Sequence, residues 1–572
     1  MTATQAIAPS QGVDLRPPAT VMRLARMGAA FPTRLSFMRS LIRRMHREDW
    51  RIAPTRFDLD DDGYGTVVYT VTTPVRQYSL IGYSHYLAPD QRTDRVIAEA
   101  WDATFTLFDG VPTAADVERL SAETPRQEAG RYQAADLVMS RANKSLRLFT
   151  HVVDRLATGR QPDADFLGSV GYLMRTTAVY GNGKFGMGDR ARYIDRLELA
   201  GPFRAELLTV YLIRCFTLDL VEHLARRRNS DGFVPLDPGF KRYLGIGNAT
   251  GLGMAPFLIS HPMLIHNWFS AREAALARVR GLAKVAEDEI SRFRALLHRA
   301  RRHVGEWRVE DEIQTGRITA LADDLRALDD WTADTAALRQ RALPWDWLFR
   351  QAAEGCSVEG QELLLSLLLE PYGDLVDELG EGLEANFDQP LDPTMTTGAL
   401  RRLIAEHYDW ALAHDFSRPD ETHHFWYYSE EKIEPRRGER RAEPGADKEM
   451  PLAVARDVSR LAAALADAGA DEMLAAFLLR RPELRHVARR VQIGARYPYA
   501  EIRDNLIARD CRPIDILRSK LAYFGAAKFD PKSDLWTRIA MYQGAPLVDE
   551  LADPAADDWC FPTLPEGACT SP

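Results

Sequence analysis

The stretch Ile52-Ala-Pro-Thr-Arg-Phe-Asp-Leu-Asp-Asp-Asp-Gly-Tyr-Gly-Thr-Val-Val-Tyr-Thr-Val-Thr72 bears most directly on the fold. β-Branched and aromatic residues fill its two halves, and an Asp-Asp-Gly turn signal separates them. A similar run covers Gln77–Tyr86 after a proline turn, and Val96–Phe108 is compatible with either a strand or a helix. We therefore predict a small antiparallel β-meander near the N-terminus.

Beyond Val111 the hydrophobic pattern changes to the three- and four-residue spacing of helices. This pattern predicts a mainly α, multi-helix, bundle-like fold in which the meander is a minor part. One predicted helix, Pro262–Trp307, is unusually long and needs a partner along its length, either a returning helix or a second subunit. The other predicted helices are Asp116–Ala122, Ala134–Leu156, Ala164–Thr177, Arg204–Arg227, Thr315–Leu328, Glu359–Leu379, Gly398–His414, Leu452–Ala468, Asp471–Gln492 and Pro513–Gly525.

Composition shifts divide the chain into five predicted parts. These are a flexible arm (1–20), a basic helix with the small sheet (21–110), a helical core with glycine-rich loops (111–434), a charged loop (435–450) and a C-terminal helical region (451–572). The basic helix, residues 33–48, carries arginines opposite an apolar face. Such a helix binds membranes or acidic partners, or it docks within its own protein with its arginines paired to carboxylates.

Charge and cysteine content restrict the class of protein. The formal net charge of -9 over 572 residues disfavours nucleic acid as a partner. No apolar run reaches the roughly 20 residues of a membrane-spanning helix, and the N-terminus lacks a signal-peptide pattern. Without a CxxC pair, the five scattered cysteines predict reduced thiols rather than a disulfide framework or metal site. We expect a cytoplasmic protein.

The first candidate for a functional segment is the loop Tyr180-Gly-Asn-Gly-Lys-Phe-Gly-Met-Gly-Asp189. Backbone amides at Gly181, Asn182 and Gly183 are suited to cradle a carboxylate or phosphate, and Lys184 adds a positive charge. A desolvated lysine here would also serve as a base or form an imine. The loop matches neither the P-loop nor the dinucleotide-binding pattern. The alternative is a glycine-rich connector with a solvated lysine.

A second loop, Gly245-Ile-Gly-Asn-Ala-Thr-Gly-Leu-Gly253, offers Asn248 and Thr250 as hydrogen-bonding groups for a ligand. His261 follows it and precedes a proline, which predicts a bend before the long helix and a candidate general acid or base. His266 lies about one turn into that helix. The alternative for the polar residues is stabilisation of their own turn, and for either histidine it is capping of a neighbouring carbonyl.

A third candidate segment runs from His423 to Arg441 and places four aromatic residues before a dense cluster of charges. Here Tyr428 and Glu431 are candidates for proton transfer, and Arg436 is a candidate clamp for an anionic group. The alternative is a helix that is buried at its start and solvated at its end. The histidine and glutamate spacing does not predict a metal site. A lesser candidate, Arg141-Ala-Asn143-Lys144, places cations at helical spacing.

Taken together, these segments predict an enzyme that acts on a small carboxylate- or phosphate-bearing molecule by acid/base chemistry of the lyase or hydrolase type, without redox steps. The predicted catalytic residues are Lys184, His261, Tyr428 and Glu431. The predicted substrate-binding residues are Gly181, Asn182, Gly183, Asn248, Thr250 and Arg436. The sequence identifies no cofactor, leaves coenzyme A and nucleotides open, and favours a homodimer. The alternative is a non-catalytic helical binding or scaffold protein whose aromatic–charged segment docks a partner.

Overall fold

The computed structural model describes residues 13–88, 90, 101–124, 133–178, 195–248, 261–383, 389–416, 425–429, 434–438, 454–503, 513–526, 528–532 and 537–565. Within these ranges the strands are β1 (Arg51–Leu59), β2 (Gly65–Thr72), β3 (Gln77–Ser84), β4 (Ala103–Asp109), β5 (Asp136–Lys144), β6 (Tyr172–Thr176), β7 (Gly245–Asn248), β8 (Phe425–Ser429), β9 (Glu434–Gly438), β10 (Lys528–Pro531) and β11 (Thr537–Met541).

Helices occupy most of the rest of the described chain. They are α1 (Pro18–Val21), α2 (Leu24–Gly28), α3 (Phe37–Arg47), α4 (Ala114–Glu123), α5 (Leu146–Ala157), α6 (Ala164–Val170), α7 (Arg204–Arg228), α8 (Pro238–Tyr243), α9 (Pro262–Arg280), α10 (Glu287–Gly305), α11 (Glu312–Trp331), α12 (Thr335–Arg339), α13 (Pro344–Gly355), α14 (Val358–Leu369), α15 (Gly373–Glu381), α16 (Thr397–His407), α17 (Asp409–Leu412), α18 (Val454–Ala466), α19 (Leu474–Arg480), α20 (Arg485–Arg496) and α21 (Pro513–Phe524). Short 3-10 helices cover Pro482–Leu484, Val548–Glu550 and Pro554–Asp557.

A curled, mixed sheet dominates the N-terminal half, so the predicted mainly α fold with a small meander is wrong. Nine strands of the described chain join it in the order β1-β2-β3-β4-β5-β6-β7-β11-β10. Neighbours pair antiparallel except β6 and β7, which are parallel. The first three strands lie where the alternating pattern predicts strands, and β4 lies in the run that was compatible with either a strand or a helix. The other strands come from segments distant in sequence. Pairing between distant segments leaves no local signal, which is why the meander was underestimated.

Two predicted helices each contain a strand of this sheet. The predicted helix Ala134–Leu156 is β5 followed by α5, and nearly all of β5 is buried on both faces. A doubly buried strand has no alternating polar side, so its apolar pattern resembles that of a helix. In the predicted helix Ala164–Thr177, Gly171 ends α6 at φ 81° and the chain continues as β6. Glycine adopts this left-handed conformation without the steric cost that other residues incur.

The predicted long helix Pro262–Trp307 is also wrong, because the structure divides it into α9 and α10. Gly281 follows the last residue of α9, and glycine is a weak helix former. Glu289 then accepts a hydrogen bond from the Ala286 backbone N–H at 2.6 Å and caps the start of α10. Both halves pack inside the chain, α9 on α13, α14 and α15 and α10 on α11 and α14. The prediction of a homodimer rested on one long helix, and its division into two packed helices removes that support.

The two faces of the sheet are covered differently. One face contributes Val67, Leu80 and Phe105 to the main hydrophobic core, which also contains the buried side of α7. On the opposite face, α4 packs over β2 to β5, and Ile81 and Leu120 belong to a smaller apolar cluster there. The continuation of this second face toward β6 and β7 carries the polar residues described below.

Helix α3 is the predicted basic helix, and it is docked within the chain. Arg39 on its buried side contacts Glu370 at 3.1 Å and Asp557 at 3.2 Å. Arg34, just before the helix, pairs with Asp377. The structure therefore confirms the internal ion-pairing alternative for this segment. None of the described helices has both the length and the apolar character needed to cross a membrane.

Candidate functional site

The strands next to the two glycine-rich segments are neighbours. In the parallel pair of β6 and β7, Thr176 lies opposite Asn248, so the chain leaves both strands at the same end. Neighbouring strands are roughly 5 Å apart, so β6, which precedes the first segment, lies beside β7, with which the second segment begins. The predicted site residues of the loops themselves lie outside the described residues: Gly181, Asn182, Gly183, Lys184 and Thr250. For Asn248 the backbone is described and the side chain is not.

The third predicted segment forms a β-hairpin rather than the helix that was its alternative. Strands β8 and β9 pair antiparallel, with Tyr428 opposite Pro435 and Tyr427 opposite Arg436. Glu431 lies outside the described residues, as do the side chains of Tyr428 and Arg436. A common pocket shared with Lys184 therefore stays a prediction.

His261 lies immediately before Pro262, at the start of α9, as the sequence predicts. Its ring is half-buried. His266, one turn later, stacks on Tyr499 and accepts a hydrogen bond from the Tyr499 backbone N–H at 3.3 Å. Burial lowers the pKa of His266 to about 4, so the ring is neutral at pH 7. His266 thus contacts Tyr499 within the fold, but it accepts a backbone N–H instead of capping a carbonyl as the alternative expected.

A cluster of polar residues, of which the sequence analysis singled out only Arg141, lies on the sheet face that α4 covers elsewhere. We call His85, Asp102, Thr104, Arg141 and Arg175 the sheet-face cluster. Tyr83 is opposite Thr104, and Thr104 is opposite Arg141, so these side chains share one face. The hydroxyl of Tyr83 donates to the Val117 carbonyl of α4, which identifies that face as the one α4 covers.

Arg175 brings a second guanidinium to this face. It lies opposite Asn143 on β5, and Arg141 is two residues from Asn143 on the same strand. Diagonal neighbours of this kind have Cα atoms roughly 7 to 8 Å apart, within reach of two long side chains. Both arginines are half-buried. The Nε of Arg175 is buried and has no hydrogen-bond partner among the described residues.

His85 lies just after β3, on the same sheet face as these cations, with its ring in a neutral state. Its Nε2 is 2.9 Å from the Thr104 hydroxyl oxygen. Burial lowers the pKa of His85, and the nearby carboxylate of Asp102 partly opposes that change. A neutral, half-buried imidazole is able to accept a proton at pH 7.

Asp102 holds the cluster together. Its carbonyl accepts from the His85 backbone N–H at 2.8 Å, and its own N–H donates to the Asn143 side chain at 2.9 Å. Its carboxylate accepts from the Lys144 backbone N–H at 2.9 Å. These three bonds fix β3, β4 and β5 relative to one another just where His85 and Arg141 project from the sheet.

Trp101 forms one wall of the cluster. The Arg141 guanidinium lies 5.3 Å from the Trp101 ring centroid, in a cation–π contact. The indole Nε1 of Trp101 is buried without a hydrogen-bond partner among the described residues. With Arg175 Nε, it is a donor with unused capacity, and such donors suit a ligand that brings oxygen acceptors.

A separate small pocket lies between the C-terminal segment and α10. Its lining residues are Phe31, Pro32, Arg39, His303, Gly525, Trp559, Cys560 and Phe561. His303 is fully used, since its Nδ1 lies 2.7 Å from the Pro562 carbonyl oxygen and its Nε2 accepts from Trp307. Burial raises the pKa of Cys560, which makes it a weak nucleophile. The pocket is therefore a poorer candidate for catalysis than the sheet-face cluster.

The sequence signal for the sheet-face cluster was weak for a physical reason. Its members come from β3, the start of β4, β5 and β6, and nothing in the sequence specifies which strands are neighbours. The sequence analysis considered Arg141 and Lys144 as cations at helical spacing. On a strand, the two-residue spacing of Arg141 and Asn143 instead places both side chains on one face. Assigning β5 as a strand would have found this pair.

Comparison with models of protein families, with characterised proteins and with solved structures gives no match. The functional argument therefore depends on the geometry of the described residues.

Proposed function

We propose that this protein is an enzyme that binds a small carboxylate- or phosphate-bearing molecule on the sheet-face cluster and transfers a proton through His85. The observation that carries the proposal is the pair of neighbouring guanidiniums, Arg141 and Arg175, on the same sheet face as a neutral histidine. Two arginines bind an oxyanion with short, charge-assisted hydrogen bonds. A neutral imidazole on the same sheet face would supply a general base.

The reaction class that fits is acid/base chemistry of the lyase or hydrolase type, without redox steps. The guanidiniums would hold the anionic group and stabilise negative charge that develops near it, while His85 removes or returns a proton. In this proposal Lys184 and the backbone amides of its loop would reach the same molecule, because the strand that precedes the loop, β6, carries Arg175. The roles of His261, Tyr428, Glu431 and Arg436 stay hypotheses.

Two measurements test the proposal. Calorimetric titration of the full-length protein with inorganic phosphate should give binding that weakens about tenfold in both Arg141→Gln and Arg175→Gln, since each removes a charged donor. Arg326→Gln is the matched control, because this arginine is exposed and pairs with Asp323 on the surface of α11. Binding that is absent, or equal in all variants, would overturn the anion site.

The catalytic part needs the natural ligand, which a native mass spectrum of the protein purified from its source would reveal. Incubation with that ligand should give turnover in the wild type and at most about one hundredth of it in His85→Gln, the loss expected for a general base. Recovery of unchanged ligand from both proteins would instead favour the alternative, a non-catalytic binding protein.

Location and assembly are parts of the same proposal. We propose a cytoplasmic protein with reduced thiols, and the three cysteines in the described chain, Cys215, Cys356 and Cys560, are all unpaired. A homodimer stays a prediction, but the division of the predicted long helix into α9 and α10 removes the observation that favoured it. Light scattering coupled to size exclusion measures it directly, and a mass near 64.5 kDa would show a monomer.

A further inference from the structure

The cationic surface extends beyond the sheet-face cluster across β7 to β11. Ala540 of β11 is opposite Gly247 of β7, and Arg538 lies two residues before Ala540, so Arg538 projects from the same face as Gly247. A side chain at Gly247 would meet the Tyr172 ring at 2.6 Å and Arg175 Cγ at 2.7 Å. Tyr172 and Arg175 therefore lie over Gly247, on the face that Arg538 shares.

Electrostatics place Arg175 and Arg538 close to the same phenol. Burial raises the pKa of Tyr172, and the positive charges of Arg175 and Arg538 each oppose that rise. Arg538 is held in place because its Nη1 donates to the Ser169 carbonyl at 2.5 Å. Arg538 is half-buried and a guanidinium has five N–H donors, so other N–H groups of Arg538 remain to bind a ligand.

Three arginines, one each on β5, β6 and β11, thus lie in a row across one face of the sheet. Arg141 and Arg538 are three strand spacings apart, which is about 14 Å. Two buried carboxylates lie near them, Asp102 and Asp530, and each accepts a backbone N–H, from Lys144 at 2.9 Å and from Arg308 at 3.0 Å. Among the described residues the local balance is positive, although the whole chain has a net charge of -9.

We infer that Arg538 forms a second anion subsite beside Arg141 and Arg175. The ligand would then carry a chain of two or more phosphate groups that extends from Arg141 and Arg175 to Arg538. A single carboxylate or phosphate satisfies only the first two arginines. A polyphosphate chain presents oxygen acceptors along its whole length, and adjacent guanidiniums at this spacing bind it with successive charge-assisted hydrogen bonds. The inference rests on the proposed function, because both use Arg141 and Arg175.

The test uses the full-length protein, titrated by calorimetry with inorganic phosphate and with inorganic tripolyphosphate at low ionic strength. We expect tripolyphosphate to bind at least tenfold more tightly than phosphate. Arg538→Gln should remove most of that advantage and leave phosphate binding within twofold of the wild type. Arg538→Lys keeps the charge without the planar fork and should retain an intermediate affinity. Arg326→Gln should change neither titration.

The outcomes separate the two proposals. Equal affinity for the two anions, or a tripolyphosphate affinity unchanged by Arg538→Gln, would overturn the second subsite and leave the first intact. If Arg538→Gln loses binding of both anions and has a lowered melting temperature, the cause is the broken Ser169 contact. The Arg538→Lys titration then tests the second subsite: an intermediate tripolyphosphate affinity supports it, and a tripolyphosphate affinity equal to that of the wild type overturns it. If neither anion binds the wild type, both proposals fail.

Discussion

Thr104 and Arg141 are cross-strand partners whose side chains share one sheet face, and His85 Nε2 lies 2.9 Å from the Thr104 hydroxyl oxygen. His85 lies just after β3 and Arg141 lies on β5, so Thr104 of the intervening strand β4 connects the proton acceptor with the guanidinium. The relationship makes the protonation of His85 a reporter of what binds to Arg141.

Anion binding should raise the pKa of His85. In the free protein, burial holds this pKa below its usual value, and a bound phosphate would favour the protonated ring by adding negative charge nearby. NMR titration of ring-labelled histidine, with and without phosphate, measures the change. The shift should disappear in Arg175→Gln, and a pKa of His85 that does not respond to phosphate in the wild type would place the anion elsewhere.

Replacement of Glu362 by Gln should destabilise the fold by about 3–5 kcal/mol. The fully buried Glu362 carboxylate contacts Arg16 at 2.7 Å, Arg26 at 2.8 Å and Arg272 at 3.1 Å, and burial among these cations accompanies a pKa lowered to about 2. The variant leaves the three guanidiniums short of one negative charge. Urea unfolding at pH 7 measures the loss.

The matched control for that experiment is Glu381→Gln, whose partner Arg47 is half exposed. Exposed ion pairs contribute about 0–1 kcal/mol, so this variant should unfold close to the wild type. Similar losses in both variants would mean that the buried charge network contributes no more than a surface pair.

Stability should fall as the pH decreases from about 6.5 to about 4 because of His266. Its pKa is about 4 in the folded state and near 6.5 in the unfolded chain, so within this window only the unfolded state gains the proton. The free energy of unfolding should drop by up to about 3 kcal/mol across the window and change no further below it. Urea unfolding at pH 7, 5.5 and 4.5 follows the effect.

His266→Asn is the variant that isolates this effect, because its side-chain oxygen is positioned to accept the Tyr499 N–H and does not titrate. The difference in the free energy of unfolding between variant and wild type should depend on pH below 6.5 and be constant above it. A difference that is independent of pH would assign the acid sensitivity to other groups.

Helix α3 should not bind anionic membranes. Arg39 and Arg43 face Asp557, and Arg34 faces both Asp557 and Asp377, so these charges are neutralised inside the fold. Co-sedimentation with vesicles that contain phosphatidylserine should recover no more folded protein than neutral vesicles do. Binding that depends on anionic lipid, and that is lost when Arg43 is replaced by Gln, would contradict the docked state.

The short-range signals of the sequence were sufficient for the elements that they govern. Alternation predicted β1, β2 and β3 almost to the residue, and helical spacing predicted α7 as Arg204–Arg227 against Arg204–Arg228 in the structure. Strands β2 and β3 are nearly as buried as β5, but β-branched and aromatic residues bounded by turn signals predicted them, and the length of the periodic pattern predicted α7. The bend at His261 followed from the proline after it.

Tertiary structure alone decided the rest. Strands β5 and β6 are buried on nearly all sides, so their own patterns could not be distinguished from helices. The parallel pairing of β6 with β7 joins residues about 70 positions apart, which no local pattern in the sequence indicates. His85, Arg141 and Arg175 became a candidate site only through the order of strands, because strand order depends on long-range pairing that no local stretch of sequence encodes.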